Sequence, residues 1–354
     1  MISRWDHCLG CMACVTACPS GVRYDRLIER VRPQVERHHK RSSSERVLRR
    51  LLFATLPHPR RMRALAPLLA VARSASPALP DRLSALPRLA PRVQTRGLIR
   101  SRLPRHAPAV GRPRGRVGLL LGCVQRVFYS PVQLAAIRSL AAEGFEVLAP
   151  PAPDCCGALE FHSGEERRAI ARATETIAAF DAAGVDYVVT TAAGCGSAMK
   201  EYGDLLDTPA ARAFAGRVRD VTELLGSVEP VAPRGPLPMR VVYHDACHLA
   251  HAQGVREEPR ALLRAIPELE LLEVANERDI CCGSAGIYNL VQPEAAAELG
   301  ARKARHLLET GAEAIAAANP GCTAQLDFHL RELGRPLPIF HPIELVWRSI
   351  QAGR

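Results

Sequence analysis

Aromatic residues make up only 5% of this 354-residue chain, and Phe53 is the only one between Tyr24 and Arg116. A groove for single-stranded nucleic acid needs aromatic stacking platforms, so the shortage argues against one. No uncharged apolar run reaches the roughly 18 residues of a membrane-spanning helix. Arg4, Asp6 and the first cysteines stand where the apolar core of a signal peptide would lie. No Gly-x-Gly-x-x-Gly follows a strand-like stretch, so nothing resembles equipment for binding a flavin or a nicotinamide. The organic part of any redox chemistry therefore belongs to another protein. A helix-turn-helix is not recognisable either, which ranks a DNA-binding regulator last among the functions considered.

Cysteine is what the chain has in quantity: twelve residues, all in clusters. Four fall in the run Cys8-Leu9-Gly10-Cys11-Met12-Ala13-Cys14-Val15-Thr16-Ala17-Cys18-Pro19. This is the Cys-x2-Cys-x2-Cys-x3-Cys-Pro spacing of a bacterial ferredoxin-type [4Fe–4S] site. Thiolates three residues apart can curl round one face of an iron–sulfur cube, and the small residues Gly10 and Ala13 let backbone N–H groups approach the sulfurs. Zinc more often takes two separated Cys pairs. In two-cluster ferredoxins the fourth cysteine of such a run ligates the other cluster, yet only one run is present. Cys18 either folds back onto the same cube or has lost its partners. The expectation is a clipped N-terminus, with a second run upstream. Metal-ligand thiolates need a reducing compartment, so the chain is expected to be cytoplasmic.

The net charge of +11 is unevenly spread: residues 23–116 hold 24 Lys and Arg against 5 Asp and Glu. Tyr24 to Lys40 has helical spacing, and Ser42 to Glu45 can cap a second helix, Arg46 to Leu56. Residues 57–113 contain ten prolines and read as short helices joined by extended linkers. His38 and His39 read as exposed residues at a basic helix end rather than ligands. The basic segment could serve nucleic acid, an anionic membrane surface or an acidic partner; Leu51, Leu52, Phe53, Leu56, Leu65, Leu68 and Leu69 favour the last two over nucleic acid.

From Arg116 strands alternate with helices, the pattern of a parallel sheet. A strand ends at Cys123, a helix spans Val132 to Glu143, and a strand from Phe145 to Ala149 leads to Cys155-Cys156-Gly157. A helix from Glu165 to Ala183 and a strand from Asp186 to Thr191 then reach Cys195. The sequence repeats this plan. A strand runs into Cys247, with a helix over Pro259–Ala265 and a strand over Leu269–Val274 before Cys281-Cys282-Gly283. A helix from Glu294 to Thr310 and a strand from Ala314 to Ala318 lead to Cys322. Matching cysteines are 124, 126, 126 and 127 residues apart, which marks an internal duplication. Loops at the carboxyl ends of parallel strands converge on one crevice, so each repeat should gather its four cysteines into a metal or redox site. A vicinal pair aimed at one centre needs an irregular loop, and the glycine after it supplies the freedom.

The doubled Cys…Cys-Cys-Gly…Cys pattern resembles the cysteine-rich domains of heterodisulfide-reductase-related proteins. With the ferredoxin-type run in front, the chain resembles the iron–sulfur subunits of glycolate oxidases. The likeness runs through Cys14–Tyr24, Leu121–Gln125, Cys155–Leu159, Ala193–Gly196, Lys200–Gly203, His244–Leu249 and Asn319–Cys322, essentially the full length. It implies an α/β protein: a ferredoxin-type segment (1–40), a basic helical linker (41–115) and two parallel-sheet cysteine-rich domains (116–235 and 236–354). It implies a [4Fe–4S] cluster on Cys8, Cys11, Cys14 and Cys18. Cys123, Cys155, Cys156 and Cys195, and likewise Cys247, Cys281, Cys282 and Cys322, would hold a second centre in each repeat. The heterodisulfide reductase subunit carries one more cysteine per repeat, where this chain has Ala198 and Gln325, so a cubane cluster, zinc and a switchable dithiol all stay open. The implied function is electron transfer from a flavin-bearing 2-hydroxy-acid oxidase subunit, for glycolate or lactate, towards a membrane quinone or other acceptor. Peripheral contact with the inner face of the cell membrane through the basic linker goes with it. A heterodisulfide-type thiol–disulfide reductase is the alternative.

Overall fold

The computed structural model of the chain describes residues 5–75 and 103–354. The cysteine run forms a loop around a short helix, Ala13–Ala17, and leads into the helix Tyr24–His38. The next helix, Ser43–Thr55, starts where the sequence signals it: the Ser42 hydroxyl accepts a hydrogen bond from Glu45 N–H at 3.2 Å. His38 and His39 are exposed at the helix end.

The proline-rich segment departs from its sequence reading. Pro59–Ala75 is one 17-residue helix running through Pro67, not a string of short pieces. Met62 and Ala66 are buried along one side of it. That packing outweighs the one backbone bond Pro67 cannot donate. The reading of 76–102 lies outside the described residues.

The two repeats fold as the duplication requires, into an α/β structure with two sheets. In the first, β1 (His106–Ala107), β2 (Gly115–Leu119), β3 (Phe145–Leu148), β4 (Tyr187–Thr190) and β5 (Val218–Asp220) take the order β1-β3-β2-β4-β5. All pairs are parallel except β1 with β3. In the second, β6 (Met239–His244), β7 (Leu269–Leu272), β8 (Ala314–Ala317) and β9 (Ile339–Phe340) take the order β7-β6-β8-β9, all parallel. Leu119 pairs with Val189 in one sheet and Tyr243 with Ala316 in the other, so the repeats superpose residue by residue. The short strands β1, β5 and β9 were too brief to leave a pattern in the sequence.

The central strands read as continuous apolar runs because both of their faces are covered. On one face, Val117, Leu119 and Val147 of the first repeat share a core with Val241, Tyr243 and Ala314 of the second. The C-terminal helix Pro342–Ala352 packs on Ser130–Ala142 of the first repeat, while Val221–Gly226 packs on Glu257–Arg264 of the second. Each repeat thus closes the other's core.

The basic helices are not free of the repeats. Leu52 and Phe53 are buried with Ile287, and Leu48, Leu56, Leu159 and Leu290 pack around them. Several arginines find partners inside the molecule. Arg41 bridges Glu36, Asp6 and Glu45, Arg37 reaches Glu166 at 2.5 Å, and Arg49 donates to the Ser163 carbonyl at 3.0 Å.

Candidate metal centre

The strands stop short of the cysteines. β2 ends at Leu119, the chain turns at Gly122 (φ +66°), and Cys123 opens the helix Cys123–Phe128. β6 ends at His244, and Cys247 directly precedes a π-helical turn, His248–Ala252. Cys195 and Cys322 lie in the first turns of Ala193–Lys200 and Pro320–Glu332. The single cysteines are therefore held at helix starts rather than at strand ends. The vicinal pairs lie in irregular loops, as their geometry demands. Gly157 (φ +77°) and Gly283 (φ +82°) follow them, and a Cβ on Gly283 would meet the Ala296 carbonyl oxygen at 2.5 Å.

Within the first repeat the thiols form a hydrogen-bonded chain, Cys123 to Cys155 to Cys156 to Cys195. Cys155 is held well below the usual thiol range because Cys123 and Cys156 donate to it; Cys123 is pushed well above it as a donor and by burial. The second repeat links Cys247, Cys281, Cys282 and Cys322 in the same order. Four mostly buried sulfurs linked in a row make a soft donor set suited to iron–sulfur or zinc. The residues fit a thiolate-ligated metal centre in each repeat.

The crevices of the two repeats face each other. Ala193 N–H donates to the Ala318 carbonyl at 3.1 Å, and Gly194 N–H to Asn319 Oδ1 at 3.3 Å. All eight repeat cysteines, together with Cys8, line one cavity of about 810 Å³.

The N-terminal loop closes this cavity. Thr16 Oγ1 lies 2.7 Å from His251 Nδ1, and Arg32 donates to the Cys8 carbonyl at 2.8 Å. Gly10 N–H donates to Cys8 Sγ at 3.4 Å, the N–H to sulfur contact its small size permits. Cys8, Cys11 and Cys14 lie close enough for their charges to interact, and Cys11 also senses Cys247. Cys18 Sγ accepts from Val22 N–H at 3.4 Å, and such backbone bonds lower its pKa.

Groups that sequence reading passed over lie in and around the cavity, and His162 and His248 line it. His162 Nδ1 meets Glu29 Oε1 at 2.9 Å; burial opposes its charge, but the Glu29 carboxylate outweighs this and raises its pKa. The His162 ring lies 4.8 Å from that of His248, which burial pushes down to about 3. His248 Nδ1 is 3.5 Å from Cys247 Sγ. Burial and the nearby Cys155 lift Glu160 to about 7. His244, Cys282 and Cys322, all buried, bring their ligand atoms within 4.8 Å of one another. Glu29 and His162 lie 133 residues apart, so no sequence pattern could pair them. His244 did leave a signal: it is the polar residue at a strand end where the first repeat has Leu120.

A ferredoxin-type loop set over two facing, duplicated cysteine crevices defines a cysteine-rich iron–sulfur protein. Residues 117–200 and 241–327 match the family described as "Cysteine-rich domain", and 2–24 match "4Fe-4S binding domain". The chain is 36% identical over 346 residues to the "Probable glycolate oxidase iron-sulfur subunit" of Bacillus subtilis (strain 168), covering 92% of this chain and 78% of that protein. It is 33% identical to the "Glycolate oxidase iron-sulfur subunit" of Escherichia coli (strain K12), covering 98% and 82%. "Lactate utilization protein A" of Geobacillus thermodenitrificans is 30% identical over 65% of this chain and 98% of its own length. The chain belongs to the glycolate oxidase iron–sulfur subunit family.

Proposed function

We propose that this chain is the electron-transfer subunit of a flavin-dependent glycolate or lactate oxidase complex. In this reading Cys8, Cys11 and Cys14 hold a [4Fe–4S] cluster, with Cys18 belonging to the same ferredoxin-type run. Cys123, Cys155, Cys156 and Cys195, and Cys247, Cys281, Cys282 and Cys322, hold one further iron–sulfur centre each. Such clusters, when bound, accept and release single electrons. The observation carrying the proposal is the shared cavity: Cys8 and both cysteine groups line it, and Cys11 approaches Cys247. Electrons entering at the loop would have no long gap to cross before reaching the repeats. The names of the relatives supply the substrate class and the existence of other subunits; a flavin-bearing partner is the component this chain has no equipment to replace.

No helix among the described residues is long and apolar enough to cross a membrane. Docking onto the inner face of the cell membrane, or onto the partner, would use the outer faces of Ser43–Thr55 and Pro59–Ala75. There Val47, Leu51, Leu65, Leu68 and Val71 are exposed among Arg46, Arg50, Arg60, Arg61 and Arg63. The terminal acceptor would then be a membrane quinone.

The test is reconstitution. The isolated, flavin-free chain should not oxidise glycolate or lactate, but with the flavoprotein it should restore electron flow to a quinone or dye. Replacing Cys155 and Cys156 by Ser should stop that flow while substrate still reduces the partner's flavin. Robust hydroxy-acid oxidation by the isolated chain would overturn the proposal. Turnover of a disulfide substrate at the Cys-Cys-Gly sites would favour the reductase reading, which the size of the cysteine-lined cavity keeps in view.

A further inference from the structure

We infer that the two repeats hold unlike centres: His244 is a fifth, imidazole ligand to the centre of the second repeat, and the first repeat has no counterpart. The inference rests on the proposed iron–sulfur occupancy of the repeats.

His244 is the last residue of β6 and pairs with Ala317. Alternate strand residues share a face, so His244 lies on the side of Val242, in the core that also contains Cys282 and Cys322. Its ring reaches those two sulfurs within a 4.8 Å group. It is 1% exposed, and neither ring nitrogen has a hydrogen-bond partner among the described residues. A buried structural histidine would have at least one nitrogen satisfied. Two unpartnered nitrogens beside two thiols are what a ligand shows before its metal arrives.

The first repeat shows that the position needs no polar group for folding. By strand register the equivalent of His244 is Leu120, which is 2% exposed and packs against Cys156, the equivalent of Cys282. The histidine therefore costs the second repeat an apolar contact that its twin keeps. The positions three residues after Cys195 and Cys322 give no help: Ala198 carries no donor. Gln325 is already engaged, accepting from Asn289 at 3.0 Å and contacting the Ala296 carbonyl and His329 at 3.2 Å. In the second repeat the additional donor comes from the strand instead of the helix. A neutral imidazole adds no negative charge, so it raises the reduction potential relative to a thiolate at the same position. The second-repeat centre is thereby set apart from the first by its ligand set.

The experiment uses the full chain, purified anaerobically after growth on iron-57, in three forms: wild type, His244→Cys and His244→Leu. A Mössbauer spectrum of the wild type should contain a distinct nitrogen-ligated iron site. That site should be absent from both variants, and His244→Cys should keep the wild-type iron count and lower one reduction potential. In the reduced protein, labelling with nitrogen-15 histidine should change a hyperfine coupling seen by pulsed electron paramagnetic resonance. The change should persist in His248→Gln, which removes the neighbouring imidazole. A wild type with full iron content and no nitrogen-ligated site overturns the role of His244 alone, and needs no variant to fold. Iron sufficient only for the N-terminal loop overturns the iron–sulfur occupancy of the repeats as well.

Discussion

Small backbone and side-chain requirements hold each cysteine where it is. Gly157 and Gly283 occupy the left-handed region at equivalent points, but their surroundings differ: a Cβ on Gly157 would press Arg172 Cβ at 2.8 Å, whereas one on Gly283 would press a backbone oxygen at 2.5 Å. Arg172 Cβ and the Ala296 oxygen are both held by helix backbone, and the approach at Gly283 is the closer. Each variant should cost about 1–3 kcal/mol in backbone strain, and Gly283→Ala should cost the more. Denaturant melts of the two variants, with iron analysis, check the order. At the loop, Cys11→Ser should remove most of the reducible cluster signal in electron paramagnetic resonance, because Cys11 lies among Cys8, Cys14 and Cys247.

His341 caps the C-terminal helix. Its Nδ1 accepts from Ile343 N–H at 3.1 Å, and burial pushes its pKa down to about 3. An unfolded histidine titrates near 6.5. Between these values the unfolded chain binds a proton that the folded one refuses, so this contribution to stability is complete above pH 6.5 and lost as pH falls towards 3. The slope should approach ~1.4 kcal/mol per pH unit. Denaturant melts between pH 7 and 5.5 should show it, and His341→Asn, which caps without titrating, should flatten that part.

At the scale of elements, buried ion pairs tie loops to the sheets. Glu143, at the end of Ser130–Ala142, is 1% exposed. It accepts from Val231 N–H at 2.8 Å and from Arg234 at 2.6 Å, anchoring the connection between the repeats. In the second repeat, Arg260 clamps Asp245 at 2.7 Å and Glu273 at 2.7 Å, fixing the segment just after β6 that carries Cys247. Removing one partner of such a pair leaves the other charge buried. Arg260→Leu should accordingly destabilise the protein by about 3–5 kcal/mol. Asp245→Asn with Arg260→Leu should recover part of that loss in a double-mutant cycle. Recovery close to zero would mean that Glu273 alone sets the role of Arg260.

For the whole molecule, the duplicated halves build one cavity that neither could build alone, and the N-terminal helices lid it through Leu52, Phe53 and Ile287. The outward faces of those helices carry exposed arginines, Arg46, Arg50, Arg60, Arg61 and Arg63, beside exposed leucines. Binding to vesicles rich in anionic lipid should therefore weaken as salt rises from 0.05 to 0.5 M, because exposed charges are screened over a Debye length that shrinks below about 10 Å above 0.1 M. Leu51→Glu with Leu68→Glu should abolish the binding while leaving iron content unchanged. Salt-independent binding would point to the apolar residues alone.

The sequence alone determined the ferredoxin-type loop, the duplication and the parallel sheets. These rest on local spacing: thiolates three residues apart, strands and helices of regular length, and cysteines recurring after 124 to 127 residues. Ser42 announced its helix for the same reason, since a cap bonds three residues on. Tertiary structure decided everything that depends on distant chain segments meeting. It ran a helix through Pro67 because Met62 and Ala66 had a surface to cover. It brought Glu29 to His162 across 133 residues. It also turned a polar exception in a repeat, His244 opposite Leu120, into a group aimed at two sulfurs. Spacing along the chain can specify which residues are able to bind a metal. Which of them converge on one centre is set by the packing of sheets and helices contributed by both repeats.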